Sequence, residues 1–224
     1  MSLLDIAAVI AAAISSTAAC GATAGASSDT MPSTHVPSPE AAARADSVRQ
    51  SYTPADVEFM TGMIHHHAQA LVMAGMAPTH GASPPIEVLA ERIINGQKGE
   101  IALMQRWLSD RNEPVPQPEP VGTHTSMQSG DHTMHHMPGM LTAAQLEEME
   151  AARGAEFDRL FLTYMIQHHR GALTMVDQLF STYGAGQGDA IFKIASGIGA
   201  DQTSEIDRMQ SMLREMMFET ADSP

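Results

Sequence analysis

Cysteine is almost missing. Cys20 is the only one among 224 residues, so the chain has no disulfide framework and no thiolate metal site. Cations are scarce as well: 12 Lys+Arg stand against 26 Asp+Glu, a net charge of -14, which makes nucleic acid and anionic membrane surfaces poor partners. An acidic surface suits cations instead. Aromatic residues make up only 4%, and no segment shows the period-two alternation of a half-buried strand. Helices are what remains. The excess lies in 18 Met and 11 His. Imidazole and thioether together form a soft-metal ligand set, although Met also serves as flexible core filler, and composition does not separate the two.

The chain also says one thing twice. The segment from Asp56 to Met73 returns from Asp158 to Met175, with Asp, Phe, Thr, Met, Ile, a His-His pair, Ala, Leu and Met in the same order. The second helices repeat less strictly: Gln97, Glu100, Ile101, Met104 and Gln105 recur as Gln202, Glu205, Ile206, Met209 and Gln210. Each half is therefore read as a helical hairpin. Two hairpins joined by one long crossover predict an all-α, ferritin-like four-helix bundle in a single domain spanning residues 52–219.

Punctuation sets the boundaries. Thr53 can cap a first helix with Pro54 at its first position, and that helix runs to about Met76. Pro78, Gly81, Pro84 and Pro85 then force a turn, and a second helix spans about 85–111, completing a first hairpin at residues 52–112. Residues 113–140 form a Pro-rich, then His/Met-rich crossover, expected to be disordered and to contribute no core element. The second hairpin, 141–219, opens with a capping box of Thr142 and Gln145. Its first helix is expected to run unbroken to about Tyr183, followed by one from about Asp189 to Phe218. Residues 21–51, rich in Ala, Ser, Thr and Pro, read as a disordered tether. Residues 1–20 form an apolar run ending in small residues, shaped like a secretory signal and too short to span a bilayer. Cys20 follows Thr-Ala-Ala, as in a bacterial lipoprotein cleavage box, so a lipid there would be the chain's only membrane attachment.

At about 100° per residue, Phe59, Met63, Ala70 and Ala74 share one helical face, the expected buried stripe. His66 and His67 flank its centre, whereas His65 points away and is expected to be exposed, like Gln167 in the second copy. The same arithmetic places His168 and His169 beside Phe161, Met165 and Ala172. A lone half-buried His is more often a satisfied core residue than a ligand. Four in matched register would need four separate hydrogen-bond partners if no metal were present. The candidate metal ligands are Met63, His66, His67, Met73, Met165, His168, His169 and Met175. Glu100, Met104, Glu205 and Met209 sit at the inner edge of the second helices as candidates for support behind the ligands. Asp56 and Asp158 recur at helix starts, where the helix dipole is a sufficient explanation.

The crossover carries a second set. His124, Met127, His132, Met134, His135, His136, Met137 and Met140 lie in a tract with no packing use for them, and they are candidates for a weaker capture arm. Met and His without Cys suit Cu(I), with His able to take Cu(II), in an oxidising compartment.

The doubled Met-Ile-x-His-His motif, Met63 to His67 and Met165 to His169, resembles the domain of unknown function 305 family over about Tyr52 to Met217. That resemblance implies a ferritin-like four-helical bundle, usually exported or membrane-anchored in bacteria, with some relatives being periplasmic copper-binding proteins linked to copper resistance. The family pattern falls on the eight bundle His and Met named above. The expectation is an exported cell-envelope protein that sequesters or delivers copper, with zinc or iron as alternative metals and a copper-delivery or efflux protein as partner. No covalent chemistry is required. Because each ligand His must be neutral, affinity is expected to weaken below roughly pH 6. The oligomeric state is not legible. Two rivals stand beside this reading. One is a ferritin-like di-metal oxidoreductase, although the Glu-x-x-His such sites use is missing from these helices. The other is a metal-free helical interaction module whose His pairs bond to carboxylates.

Overall fold

A computed structural model describes residues 38–118 and 137–221. The leader, Cys20 and six of the crossover candidates, His124, Met127, His132, Met134, His135 and His136, lie outside the described residues. Among those described there are six α-helices, one 3-10 turn and no strand. The helices are α1 (Pro39–Arg49), α2 (Pro54–Gly75), α3 (Pro84–Ser109), α4 (Ala143–Ala151), α5 (Gly154–Ser181) and α6 (Asp189–Ala221), with the 3-10 turn at Ala77–Thr79.

The four long helices, α2, α3, α5 and α6, make the bundle. Thr53 caps α2 by accepting from the Asp56 N–H while the Asp56 carboxylate accepts from the Thr53 N–H, and Thr142 and Gln145 do the same for α4. Asp56 and Asp158 go further than a dipole interaction requires. Both are buried, and each accepts a backbone N–H from the opposite hairpin's turn, Asp56 from Gly186 at 2.7 Å and Asp158 from Ser83 at 3.2 Å. Each hairpin is thus pinned to the other at both ends.

The tether and the third helix depart from expectation. Residues 39–49, placed in the disordered tether, are helical, and α1 is held to the end of α3 by an Arg44–Asp110 ion pair. The helix expected to run unbroken from 141 stops at Ala151 and resumes at Gly154. His80 explains the break: its ring Nε2 bonds the Glu150 carbonyl at 3.0 Å, and its own carbonyl accepts the Gly154 N–H at 2.9 Å. Gly154 sits at φ +57, the left-handed region that glycine tolerates best.

The end of the crossover is also part of the core, contrary to expectation. Met137 packs against one apolar cluster, and Leu141, the first residue of the second hairpin, is buried in the other. Gln69 on α2 grips the Leu141 backbone, accepting its N–H at 2.7 Å and donating to its carbonyl at 3.1 Å. The position in α5 that corresponds to Gln69 is Gly171. A Cβ there would stand 2.0 Å from the Pro138 carbonyl oxygen, so a glycine is what lets residues 137–141 cross α5 as a strap.

The buried side chains form two apolar clusters. In one lie Phe59 to Ile64 of α2, Ile101 to Leu108 of α3, Ala172 to Leu179 of α5 and Ile191 to Ile198 of α6. The other holds Ala70 to Ala74, Ile86 to Ile93, Phe157 to Ile166, and Ile206 with Met209. On every bundle helix buried polar residues lie between the two clusters, among them His66 and His67, Gln97, His168 and His169, and Gln202.

Candidate metal centre

This polar layer is buried: the four His are 0% exposed, Gln97 2% and Gln202 1%. The helix arithmetic fixes why. His66 and His67 fall one on each side of the stripe centre, so on a helix packed by neighbours on both flanks both rings go inward. The two hairpins meet here, with the His66 and His168 ring centroids 3.9 Å apart and the planes tilted by 39°. His67 and His169 sit 6.5 and 6.2 Å from their own neighbours.

All four rings are held in one way. Each Nε2 has an acceptor: the Pro138 carbonyl for His66 at 2.9 Å, Glu100 for His67 at 2.8 Å, the His66 carbonyl for His168 at 3.0 Å and Glu205 for His169 at 2.8 Å. Carbonyls and carboxylates only accept, so a neutral ring must carry its proton on Nε2, leaving a lone pair on Nδ1. All four Nδ1 atoms are buried and have no hydrogen-bond partner in the protein. Both amide atoms of Gln97 and the Oε1 of Gln202 are in the same condition.

His80 is the internal control. It too is buried, but its Nδ1 lies 2.9 Å from both the Met76 carbonyl and the Thr79 hydroxyl, and its Nε2 meets the Glu150 carbonyl. A structural histidine in this fold has both nitrogens partnered. An orphaned buried polar group costs roughly 1–3 kcal/mol, and the layer holds seven such atoms. A bound water or cation would give these atoms the partner the protein does not.

Burial sets the protonation state. It pushes the His66 pKa down to about 3, with repulsion from His67 adding to the effect and the Pro138 bond opposing it. His168 is held well below the ordinary value by burial, then by repulsion from His66, His169 and His67. These two rings are therefore neutral far below pH 6, and the expected loss of affinity near that pH does not arise from them.

The sulfur atoms bracket the layer. Met63 and Met175 belong to one apolar cluster with Met104, and Met73 and Met165 to the other with Met209. All six are buried. Met137 joins the first set: its Sδ and the Met175 Cε both lie within 4 Å of where a Cβ on Gly62 would be. Met140, at the end of the strap, is half-buried. His65 and Gln167, expected to be exposed, are half-buried as well, with Gln167 bonded to Gln145 and the Gly139 carbonyl beneath the strap. The reading of the sequence missed Gln69, Gly171 and Pro138. The two copies do diverge at Gln69 and Gly171, but they also diverge at several other positions of the motif, so nothing in the sequence singles this pair out.

Among the described residues, no three His, Cys, Asp or Glu side chains already stand in metal-holding geometry. The donors are gathered in one layer but not closed into a cage. Beside that layer, Arg92, Glu100, Asp201 and Glu205 join Gln97 and Gln202 in lining a cavity of about 130 Å³ between α3 and α6. The Asp201 pKa is raised by burial and by the facing Glu100 and Glu205, with Arg92 opposing.

The DUF305 family model, "Domain of unknown function", matches residues 56–213. The chain belongs to the DUF305 family. Three solved structures are similar to it. A DUF305 fragment from Deinococcus radiodurans is 25% identical with a TM-score of 0.61, covering 74% of this chain and 99% of that one. A DUF305 protein of Streptomyces coelicolor, assigned as secreted, is 27% identical with a TM-score of 0.59, covering 72% and 93%. CopM in its Cu(II)-bound form is 29% identical with a TM-score of 0.55, covering 71% and 96%. CopM has also been solved in Cu(I)-bound and Ag-bound forms. Among curated proteins none matches the chain. The all-helical fold agrees with these relatives. Among the described residues, no helix is long and apolar enough to cross a membrane.

Proposed function

We propose that this DUF305 protein is an exported copper-binding protein that sequesters the ion or hands it on in the cell envelope. The observation that carries the reading is the set of four buried Nδ1 lone pairs, supplied equally by both hairpins and left without a protein partner. Imidazole nitrogen suits Cu(II), and the Met63, Met73, Met165 and Met175 thioethers above and below it suit Cu(I). The CopM structures with Cu(II), Cu(I) and Ag support copper as the metal, and the Streptomyces coelicolor relative, described as secreted, supports export.

Copper here is cargo. Glu100, Glu205 and the two carbonyls hold the rings in the tautomer that presents Nδ1, and burial keeps His66 and His168 neutral, so no proton has to leave them before an ion binds. The donors then draw together around the ion. The crossover tract ending at Met137 and Met140 serves as the weaker capture arm. The reading requires no covalent chemistry.

One observation favours the metal-free interaction module, namely the two His–carboxylate bonds, His67 to Glu100 and His169 to Glu205. Those bonds satisfy Nε2 and leave Nδ1 unused, which a purely structural pair would not need. The test is a Cu(I) competition titration of the wild type and of a variant with His66, His67, His168 and His169 changed to Gln, with circular dichroism reporting helicity. A large loss of affinity at retained helicity supports the site. Unchanged affinity removes it.

A further inference from the structure

The four rings have no exposed surface, so an ion reaching them has to cross a layer of protein. A polar cavity between α3 and α6 lies against that layer. Its walls carry the Glu100, Glu205 and Asp201 carboxylates against one guanidinium, Arg92, which stands 3.9 Å from Glu205. The glutamates are the layer between solvent and imidazole: their side chains are 15% and 10% exposed, and their inner oxygens bond His67 and His169. Gln97 and Gln202 line the same cavity. Both are buried, and their amide oxygens have no partner.

A route for a cation needs negative charge at its mouth to raise the local ion concentration, and neutral oxygen donors further in that bind weakly enough to let go. Carboxylates at the rim, amide oxygens behind them and imidazoles at the end give that order. We propose that the cavity between α3 and α6 is the loading port of the buried site, with Asp201, Glu100 and Glu205 attracting copper ions and Gln97 and Gln202 passing them to the histidine layer. This inference rests on the proposed copper site and names the path to it.

A port governs rates, whereas the ligands govern equilibrium, and the test separates the two. Asp201→Asn removes a rim charge without touching a ring. Gly96 lines the cavity and has nothing within 4 Å of where a Cβ would go, so Gly96→Phe places bulk at the mouth with room to fold. Stopped-flow mixing of the full-length protein with Cu(I) as its acetonitrile complex gives the association rate, and competition titration gives the affinity. For both variants the association rate should fall roughly tenfold, within the range of electrostatic steering. Affinity should stay near that of the wild type. In Asp201→Asn the rate should also lose part of its dependence on ionic strength. Wild-type association rates in both variants would overturn the port while leaving the site standing. A wild-type protein that fails to bind Cu(I) at equilibrium would overturn the site itself.

Discussion

Lowering the pH should destabilise the metal-free protein well before its carboxylates titrate, and the size of the effect follows from His66. In the unfolded chain its pKa is about 6.5. In the folded bundle burial brings it to about 3. Between those values the unfolded state binds a proton that the folded state does not, so stability is full above pH 6.5 and falls as pH drops toward 3. At pH 5 the linkage gives about 2 kcal/mol lost at His66 alone, and His168, lowered by the same causes, adds to the loss. At roughly 2 kcal/mol per M of urea, His66 by itself moves the unfolding midpoint by about 1 M between pH 7.5 and pH 5. The assay is urea denaturation followed by circular dichroism in the presence of a copper chelator, repeated on His66→Gln, which should lose that share of the dependence. A midpoint constant from pH 7.5 to 5 would refute the burial argument and the neutral rings that the copper site depends on.

Three further outcomes follow from the same contacts. Glu100→Gln and Glu205→Gln keep the shape but weaken the acceptor behind His67 and His169, so copper affinity should drop roughly 10- to 100-fold in a competition titration with little change in fold. Met63→Leu combined with Met175→Leu preserves core volume, so each change should cost less than about 1.5 kcal/mol in urea unfolding. Cu(I) affinity should fall while Cu(II) affinity is retained. Gly171→Ala forces a Cβ onto the Pro138 carbonyl and should destabilise by about 1–3 kcal/mol, whereas Gly99→Ala, with nothing within 4 Å, should be neutral or stabilising by up to about 1 kcal/mol.

The bundle was legible because its signals are local and doubled. Thr53 with Pro54 and Thr142 with Gln145 mark helix starts through nearest-neighbour chemistry, and the repeat of Phe59 to Met73 sets which face is buried. Adjacent His66 and His67 straddle one stripe by helix geometry alone, so their burial could be read off the wheel. Apart from α1, where Ser38, Pro39 and Glu40 mark a helix start locally, the departures from the reading are long-range. Nothing near Arg153 announces that His80, more than 70 positions earlier, will interrupt the helix there. The docking of Met137 to Leu141 depends on Gln69 and on the absence of a side chain at Gly171, a pairing that only the folded chain brings together. The orphaned Nδ1 atoms are the same kind of fact, because they depend on which acceptors reach Nε2 from other helices.

The central claim is that imidazoles from both hairpins close on a single ion or a small cluster through Nδ1. A crystal structure of the Cu(I)-loaded protein, with copper located by its anomalous scattering, tests it most directly. The account predicts copper in the layer between the two apolar clusters, bonded to Nδ1 of at least one histidine from each of the His66–His67 and His168–His169 pairs, with Glu100 and Glu205 still on Nε2. Copper held only outside that layer, with the four rings as they stand now, would contradict it.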